Sequence, residues 1–302
     1  VRLAVRRSRI QWAFLAVVLA VSVLAATLLG TLYLLSGATE TFAARSALTN
    51  ATTEDVGVTI RVTPYGELED VLKGTGTAAS DLFGDVPYSR TVTTQGELLA
   101  IPREDRPIAL GYLGSTDSLD SLVSIRSGTA PQPSNGGPVQ ILVPTALLYD
   151  LGVTLGDTLT LSPYSARNDT ATFRIVGTYA IKDPRDPAWL VDRYVGLGHN
   201  PQAVVPFTAG MVLTDGYGPL YTVPQDVEAM PLDTVITTYV PDFSNTSLAE
   251  VRDVIDRSGD LERTATRDVG SAASSLVVVS DVDTTLGAVA GSLAVTRSSV
   301  LV

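Results

Sequence analysis

Thirty consecutive residues, Ile10 to Thr39, carry no charge, and Arg2, Arg6, Arg7 and Arg9 stand directly before them. The densest apolar part is Trp12 to Leu35. As a helix rising about 1.5 Å per residue it would be roughly 36 Å long, enough to cross a hydrocarbon core of about 30 Å with some tilt. A cleaved signal peptide has an apolar region of only about 7–15 residues, and Thr41-Phe42-Ala43-Ala44 is a poor cleavage site, so a retained anchor is expected. A buried core helix accounts for neither the arginines nor the length. The first charge after the run is Glu40. The positive-inside rule therefore puts Arg6, Arg7 and Arg9 in the cytoplasm and the rest of the chain outside it, in the cell membrane. Trp12 and Tyr33 sit near the two ends, where amphipathic rings prefer to lie.

Charge separates this anchor from the remainder. The 302 residues have a net charge of −11, yet residues 1–39 hold four arginines and no acid, which leaves −15 on the rest. So acidic a surface repels phosphate backbones and excludes nucleic acid as a partner. With 45% hydrophobic and 18% charged residues the chain is a folding one. It has no cysteine, hence no disulfide framework and no thiol chemistry.

Residues 40–55 read as a helix rising from the membrane as a stalk, rich in Ala and free of Gly and Pro. Residues 56–270 read as an extracytoplasmic α/β domain. Val56–Thr63 alternates as a strand. Residues 67–73 suggest a short helix stopped by Gly74. Strands are expected at Leu98–Ile101, Ile108–Tyr112, Leu122–Ile125 and Val139–Val143. Pro144 opens a helix that Gly152 closes in the left-handed conformation. Thr158–Leu161 and Ala171–Ile181 are further strands. Residues 182–224, rich in Pro, Gly and Asp, read as a long loop or inserted subdomain. Val235–Val240 is a strand and Asn245–Arg257 an amphipathic helix. In residues 271–302, Val279, Val282, Leu286, Val289 and Leu293 recur at alternating steps of three and four. That spacing predicts a helix laid along a partner: the seam of a returning stalk arm, followed by the start of a second membrane helix. The fold class is therefore α+β, with a membrane helix, a two-armed stalk and a mixed outer domain.

This layout resembles the N-terminal part of an FtsX-like/MacB-type ABC transporter permease, in its large actinobacterial form. Leu151-Gly152-Val153-Thr154-Leu155-Gly156-Asp157-Thr158-Leu159 and Phe173-Arg174-Ile175-Val176-Gly177-Thr178-Tyr179 are similar to that family's periplasmic core domain. Asp183-Pro184, Asp186-Pro187, Trp189, Asp192, Tyr217-Gly218-Pro219-Leu220 and Val295-Thr296-Arg297-Ser298 carry the rest of the likeness. The family has at least three further transmembrane helices that are not in this sequence. The resemblance implies a non-catalytic permease segment, a cytoplasmic ABC ATPase subunit and a second permease half or an extracytoplasmic partner. It implies coupling of ATP hydrolysis to outer-domain movement, for export, lipoprotein release or mechanotransmission. The alternative is a single-pass anchored ligand-binding or sensor domain; an anchored hydrolase ranks last.

No residue pattern points to catalysis, a metal or a cofactor. His199 is the only histidine, and a surface position is expected for it. Lys73 and Lys182, the only lysines, read as solvated charges rather than partners of a nucleophilic serine. Asp183, Asp186 and Asp192 with Arg185 lack calcium-loop spacing and read as turn formers. Gly287-xxx-Gly291 reads as ordinary helix packing. There is no Walker A loop, so any ATP hydrolysis belongs to another subunit.

Overall fold

The structure is a computed structural model that describes residues 12, 16–28, 30–31, 53–103, 108–165, 169–207, 210–282 and 284–287. In chain order its main elements are β1 (Val58–Pro64), α1 (Leu68–Phe83), β2 (Tyr88–Ile101), β3 (Ala109–Thr116), β4 (Val123–Gly128), β5 (Val139–Pro144) and α2 (Thr145–Leu151). Then come β6 (Thr158–Pro163), β7 (Ala171–Ile181), β8 (His199–Phe207), β9 (Gly210–Tyr221), β10 (Leu232–Pro241), α3 (Leu248–Ser258), α4 (Leu261–Val269) and β11 (Ala273–Ser280). The fold is mixed α/β around one large sheet.

Two βαβ units from opposite ends of the chain make the first lobe. Their strands lie in the order β11-β1-β10-β2, each antiparallel to its neighbour. This is the split βαβ arrangement of ferredoxin-like folds, with residues 102–231 inserted where a hairpin would join β2 to β10. Alternation builds the sheet: Val58, Ile60 and Val62 are buried under the helices, while Thr59 and Arg61 face the other way. Helix α1 buries Val71, Thr75, Ala78, Ala79 and Leu82 on one face. It runs through Gly74 instead of stopping there. A Cβ on Gly74 would lie 2.7 Å from the Asp268 carbonyl oxygen and the Val269 Cα, so the glycine is where α1 and α4 touch backbone to backbone. Helix α3 starts on a capping box, with the Glu250 N–H donating to Ser247 Oγ and the Ser247 N–H to Glu250 Oε2.

The insertion forms the second lobe. Neighbouring strands run β2-β3-β9-β5-β7-β6 and return to β2, closing a ring. β4 adds to β7 and β8 to β9. β2 serves both lobes; its pairing with β3 shifts register between Gln95 and Leu98, near the crossing point. Phe173, Tyr217, Leu113, Ile141, Ile175 and Leu220 fill the ring.

Several expectations change. The strands at 171–181 and 139–143 and the Gly152 cap, at φ 66°, lie where the sequence put them. Residues 182–224 do not form only a loop: they contain β8 and the interior strand β9. Gly216, which reads as loop punctuation, admits the Tyr194 ring, 2.5 Å from where its Cβ would stand. Residues 273–280 are not helical. Their β-branched run pairs with β1 as an edge strand, so the sheet extends past the expected boundary at residue 271.

Candidate functional site

The chain enters and leaves the first lobe at one place. β1 and β11 are antiparallel neighbours, and Val58, near the start of one, stands opposite Ser280, the end of the other. A helical turn at Thr53–Val56 leads in. After β11 the chain turns helical at 282, where the Ser280 hydroxyl accepts from the Val282 N–H at 3.3 Å and the Asp281 carbonyl from the Thr285 N–H at 2.9 Å. Val56, Val282 and Leu286 are buried in the same apolar cluster as Val58, Val71 and Val254. Residues 53–56 and the helical residues after Ser280 are therefore rooted in one core.

The expected seam is divided by this geometry. Val282 and Leu286, four apart on helical residues, face the core. Val279 lies in β11 and is 59% exposed on the sheet's other face, because strand geometry sends it opposite to Val278. Val289 and Leu293 lie outside the described residues, as do Arg6, Arg7, Arg9 and Gly291.

The expected membrane span is described only in part. Residues 16–28 are helical, with Val17, Leu19, Val21, Leu24 and Leu28 all exposed. The Thr27 and Thr31 hydroxyls donate back to the Val23 and Thr27 carbonyls at 2.7 and 2.9 Å, satisfying themselves within the helix. Among the described residues no helix is long and apolar enough to cross a membrane.

Polar side chains gather in two further places. His199 is half-buried rather than a surface residue. Its ring stacks on Tyr217 at 4.8 Å, and its Nε2 lies 3.0 Å from Asp215 Oδ1 and 4.0 Å from Asp150 Oδ2. Arg103 donates to Asp215 and to the Tyr217 hydroxyl, each at 2.7 Å, and that hydroxyl donates to Asp150 at 3.0 Å. Burial alone would raise the Asp215 carboxyl, but the hydrogen bonds and charges of Arg103 and His199 outweigh it and hold it below its ordinary range. This network pins the β8–β9 hairpin to α2 and the end of β2. Among the described residues no group of three or more His, Cys, Asp or Glu side chains is arranged to hold a metal.

The second place is Asp192. Asp183 and Asp186 make local turns as expected, accepting from the Arg185 and Ala188 N–H groups at 2.9 Å each. Asp192 does more: it is buried, and accepts from the Tyr112 hydroxyl and from the Tyr194 and Gly196 N–H groups at 3.1 and 2.9 Å. Burial raises its carboxyl above the ordinary range, against the opposing pull of those donors and of Arg193. The same segment reaches the first lobe. Arg61 and Gln95 donate to the Val191 carbonyl at 3.3 and 3.0 Å, and Arg193 pairs with Asp233 at 2.6 Å. It is a strap across the two lobes. A sequence cue exists in Asp192-x-Tyr194-x-Gly196, an aspartate followed by the amides it collects. Lys73 is exposed within α1, and Lys182 is exposed and donates to the Asp120 carbonyl.

No protein-family model matches the chain, and no curated protein matches it. Among solved structures it is similar to a crystal structure of a domain of a protein assigned as a permease, from Porphyromonas gingivalis, at 12% identity and a TM-score of 0.33. That similarity covers 75% of this chain and 90% of the other.

Proposed function

We propose that the chain is a non-catalytic segment of an FtsX-like/MacB-type ABC permease, with its N-terminus cytoplasmic and its two-lobed domain outside the cell membrane. In this reading a separate cytoplasmic ATPase hydrolyses ATP, and the flanking helices carry the resulting motion to the first lobe. The carrying observation is the shared exit: Val58 opposite Ser280, with Val56, Val282 and Leu286 in one core. A domain hung on two adjacent arms that share its core turns when the arms shift, because packed elements move as rigid bodies. The charge-free run behind four arginines supports the membrane side of the reading.

The absence of cysteine makes the test direct. A Tyr149→Cys chain, altered at a side chain 82% exposed, is labelled by a membrane-impermeant maleimide on intact cells; an Arg6→Cys chain is labelled only after permeabilisation. With its ATPase in proteoliposomes, ATP changes the labelling rate at position 149. A Gly-Ser-Gly insertion after Asp281 keeps ATP hydrolysis and removes that change. Labelling of position 149 only from the inside, or a rate indifferent to ATP, overturns the proposal. A correct topology without any ATP response leaves an anchored sensor as the reading.

A further inference from the structure

A cavity of about 20 Å³ lies beneath the strap, where residues 188–192 meet β2 and β3. Thr94 and Gln95 of β2 line it on one side, and Trp189, Val191 and Asp192 of the strap on the other. Thr94, Gln95, Trp189 and Asp192 are each more than nine-tenths buried. Every residue of the lining belongs to the described part of the chain.

The polar groups here are not all taken up by protein partners. Gln95 donates through Nε2 to the Val191 carbonyl at 3.0 Å, but its amide oxygen receives no hydrogen bond from the described residues. The Thr94 and Ser115 hydroxyls share one hydrogen bond at 2.8 Å. Two hydroxyls carry two protons and that bond uses one, which leaves a donor over on a buried pair. Asp192 receives three hydrogen bonds, from Tyr112, Tyr194 and Gly196, while a carboxylate can accept about four. A buried acceptor and a buried donor left unmade are costly, so something small should join them. Size decides what. A water molecule needs roughly 10–15 Å³ and two to four polar partners, whereas a benzene-sized guest needs roughly 150 Å³.

We propose that this cavity is the site of one structural water molecule, which accepts from the Thr94 hydroxyl and donates to Gln95 Oε1 and toward Asp192. The water bridges β2, the strand common to both lobes, to the strap that crosses them. It completes a contact that the side chains alone leave open. The site is independent of the permease reading, since it needs only β2 and the strap.

The experiment pairs a crystal structure of the full chain with oxygen-17 relaxation dispersion, which counts long-lived waters, on the full chain in phosphatidylcholine nanodiscs. The map should show one water about 2.7–3.2 Å from both Gln95 Oε1 and Thr94 Oγ1. Thr94→Ile removes the hydroxyl and fills the space, so the count of long-lived waters should fall by one. An equal count in parent and variant overturns the proposal, as does an empty cavity in a map that shows other waters bound to buried main chain. A peak with many oxygen neighbours at about 2.3–2.6 Å would be a cation such as calcium and overturns it too. If Thr94→Ile does not fold, Thr94→Val decides, because it keeps the volume and removes the donor. The water's residence time should then shorten about tenfold, the factor that one hydrogen bond supplies. An unchanged residence time overturns the assignment.

Discussion

The two lobes share a strand yet hold themselves together by different means. In the first, three helices lie on one face of a four-stranded sheet, and one continuous apolar cluster runs from Val56 through Phe83 to Leu286. Helices satisfy their own backbone hydrogen bonds, so the surface they offer the sheet can be wholly apolar. Its buried polar contacts are few, such as the Tyr239 hydroxyl donating to Thr75 at 3.2 Å. The ring lobe has little helix, and its apolar residues fall into three smaller clusters. Its connections carry backbone groups that no ladder pairs, and side chains must take them up. Asp192 takes the amides of Tyr194 and Gly196, and Trp189 donates to the Asp183 carbonyl. Tyr179, packed with Leu142, Trp189 and Tyr221, donates to the Pro219 carbonyl at 2.8 Å. The first lobe is thus a single apolar block that takes in Val56, Val282 and Leu286, while the second is held in shape by directed hydrogen bonds.

The contrast is sharpest at Phe173, fully buried at the centre of the ring. Phe173→Ala removes the largest apolar group of that cluster and should cost about 3–5 kcal/mol, read as a lowered urea midpoint. Because β2 pairs with β10 in one lobe and with β3 and β6 in the other, the loss should be felt in both. Hydrogen exchange is expected to quicken in β1 and β10 as well as in β7. Full protection of β1 and β10 in this variant would show that the lobes unfold separately and would break the shared-strand account.

Asp192 offers a second way in, of about 1–3 kcal/mol, the cost of leaving buried donors without their acceptor. In Asp192→Asn one carboxylate oxygen becomes an amide that donates, and it meets N–H groups that also donate. The pH dependence carries the sign. The Asp192 carboxyl is raised in the folded state, so its contribution to stability is greatest below the unfolded value of about 3.9 and is lost as pH rises through the folded one. Asp215 is lowered and does the reverse: its contribution is present above the unfolded value and lost as pH falls through the folded one. Urea titrations between pH 3 and 8 should show Asp192→Asn removing the decline with rising pH, and Asp215→Asn removing the loss toward acid. Unchanged slopes in Asp192→Asn would mean that its carboxyl is solvated.

Legibility in the sequence follows the same division. Strands with their own breakers, such as Ala171–Ile181 ahead of Asp183-Pro184, declare themselves locally. The same holds for the Pro144 and Gly152 bounds of α2. What escaped was set by distant partners. β9 reads as loop because Gly216, Gly218 and Pro219 interrupt it, and only the Tyr194 and Tyr112 rings packed against those glycines explain their presence. Val279, Val282 and Leu286 keep helical spacing across a boundary where strand becomes helix, a coincidence that periodicity alone could not expose. Val282 and Leu286 are buried in the domain's own core with Val56 and Val58, a placement that spacing within 279–293 does not announce. His199, Asp150, Asp215 and Arg103 lie 16 to 114 residues from their partners, and no local pattern joins them.

Gly74 brings that lesson back to the first lobe, with the smallest effect of the three. Read locally, a glycine after Lys73 ends a helix; in the structure it lets α1 and α4 close up. Gly74→Ala sets two terms against each other. Helix propensity favours alanine over glycine by about 1 kcal/mol in a helix interior. The added Cβ meets backbone atoms of Asp268 and Val269 at 2.7 Å, and backbone in a packed interface yields only by moving the whole helix, which costs about 1–3 kcal/mol. The net expectation is a destabilisation of about 1 kcal/mol, with hydrogen exchange quickened in α4 ahead of the ring strands. A variant as stable as the parent or more so would place α4 further from α1 than described, and the block-like character assigned to this lobe would then rest on its sheet rather than on its helices.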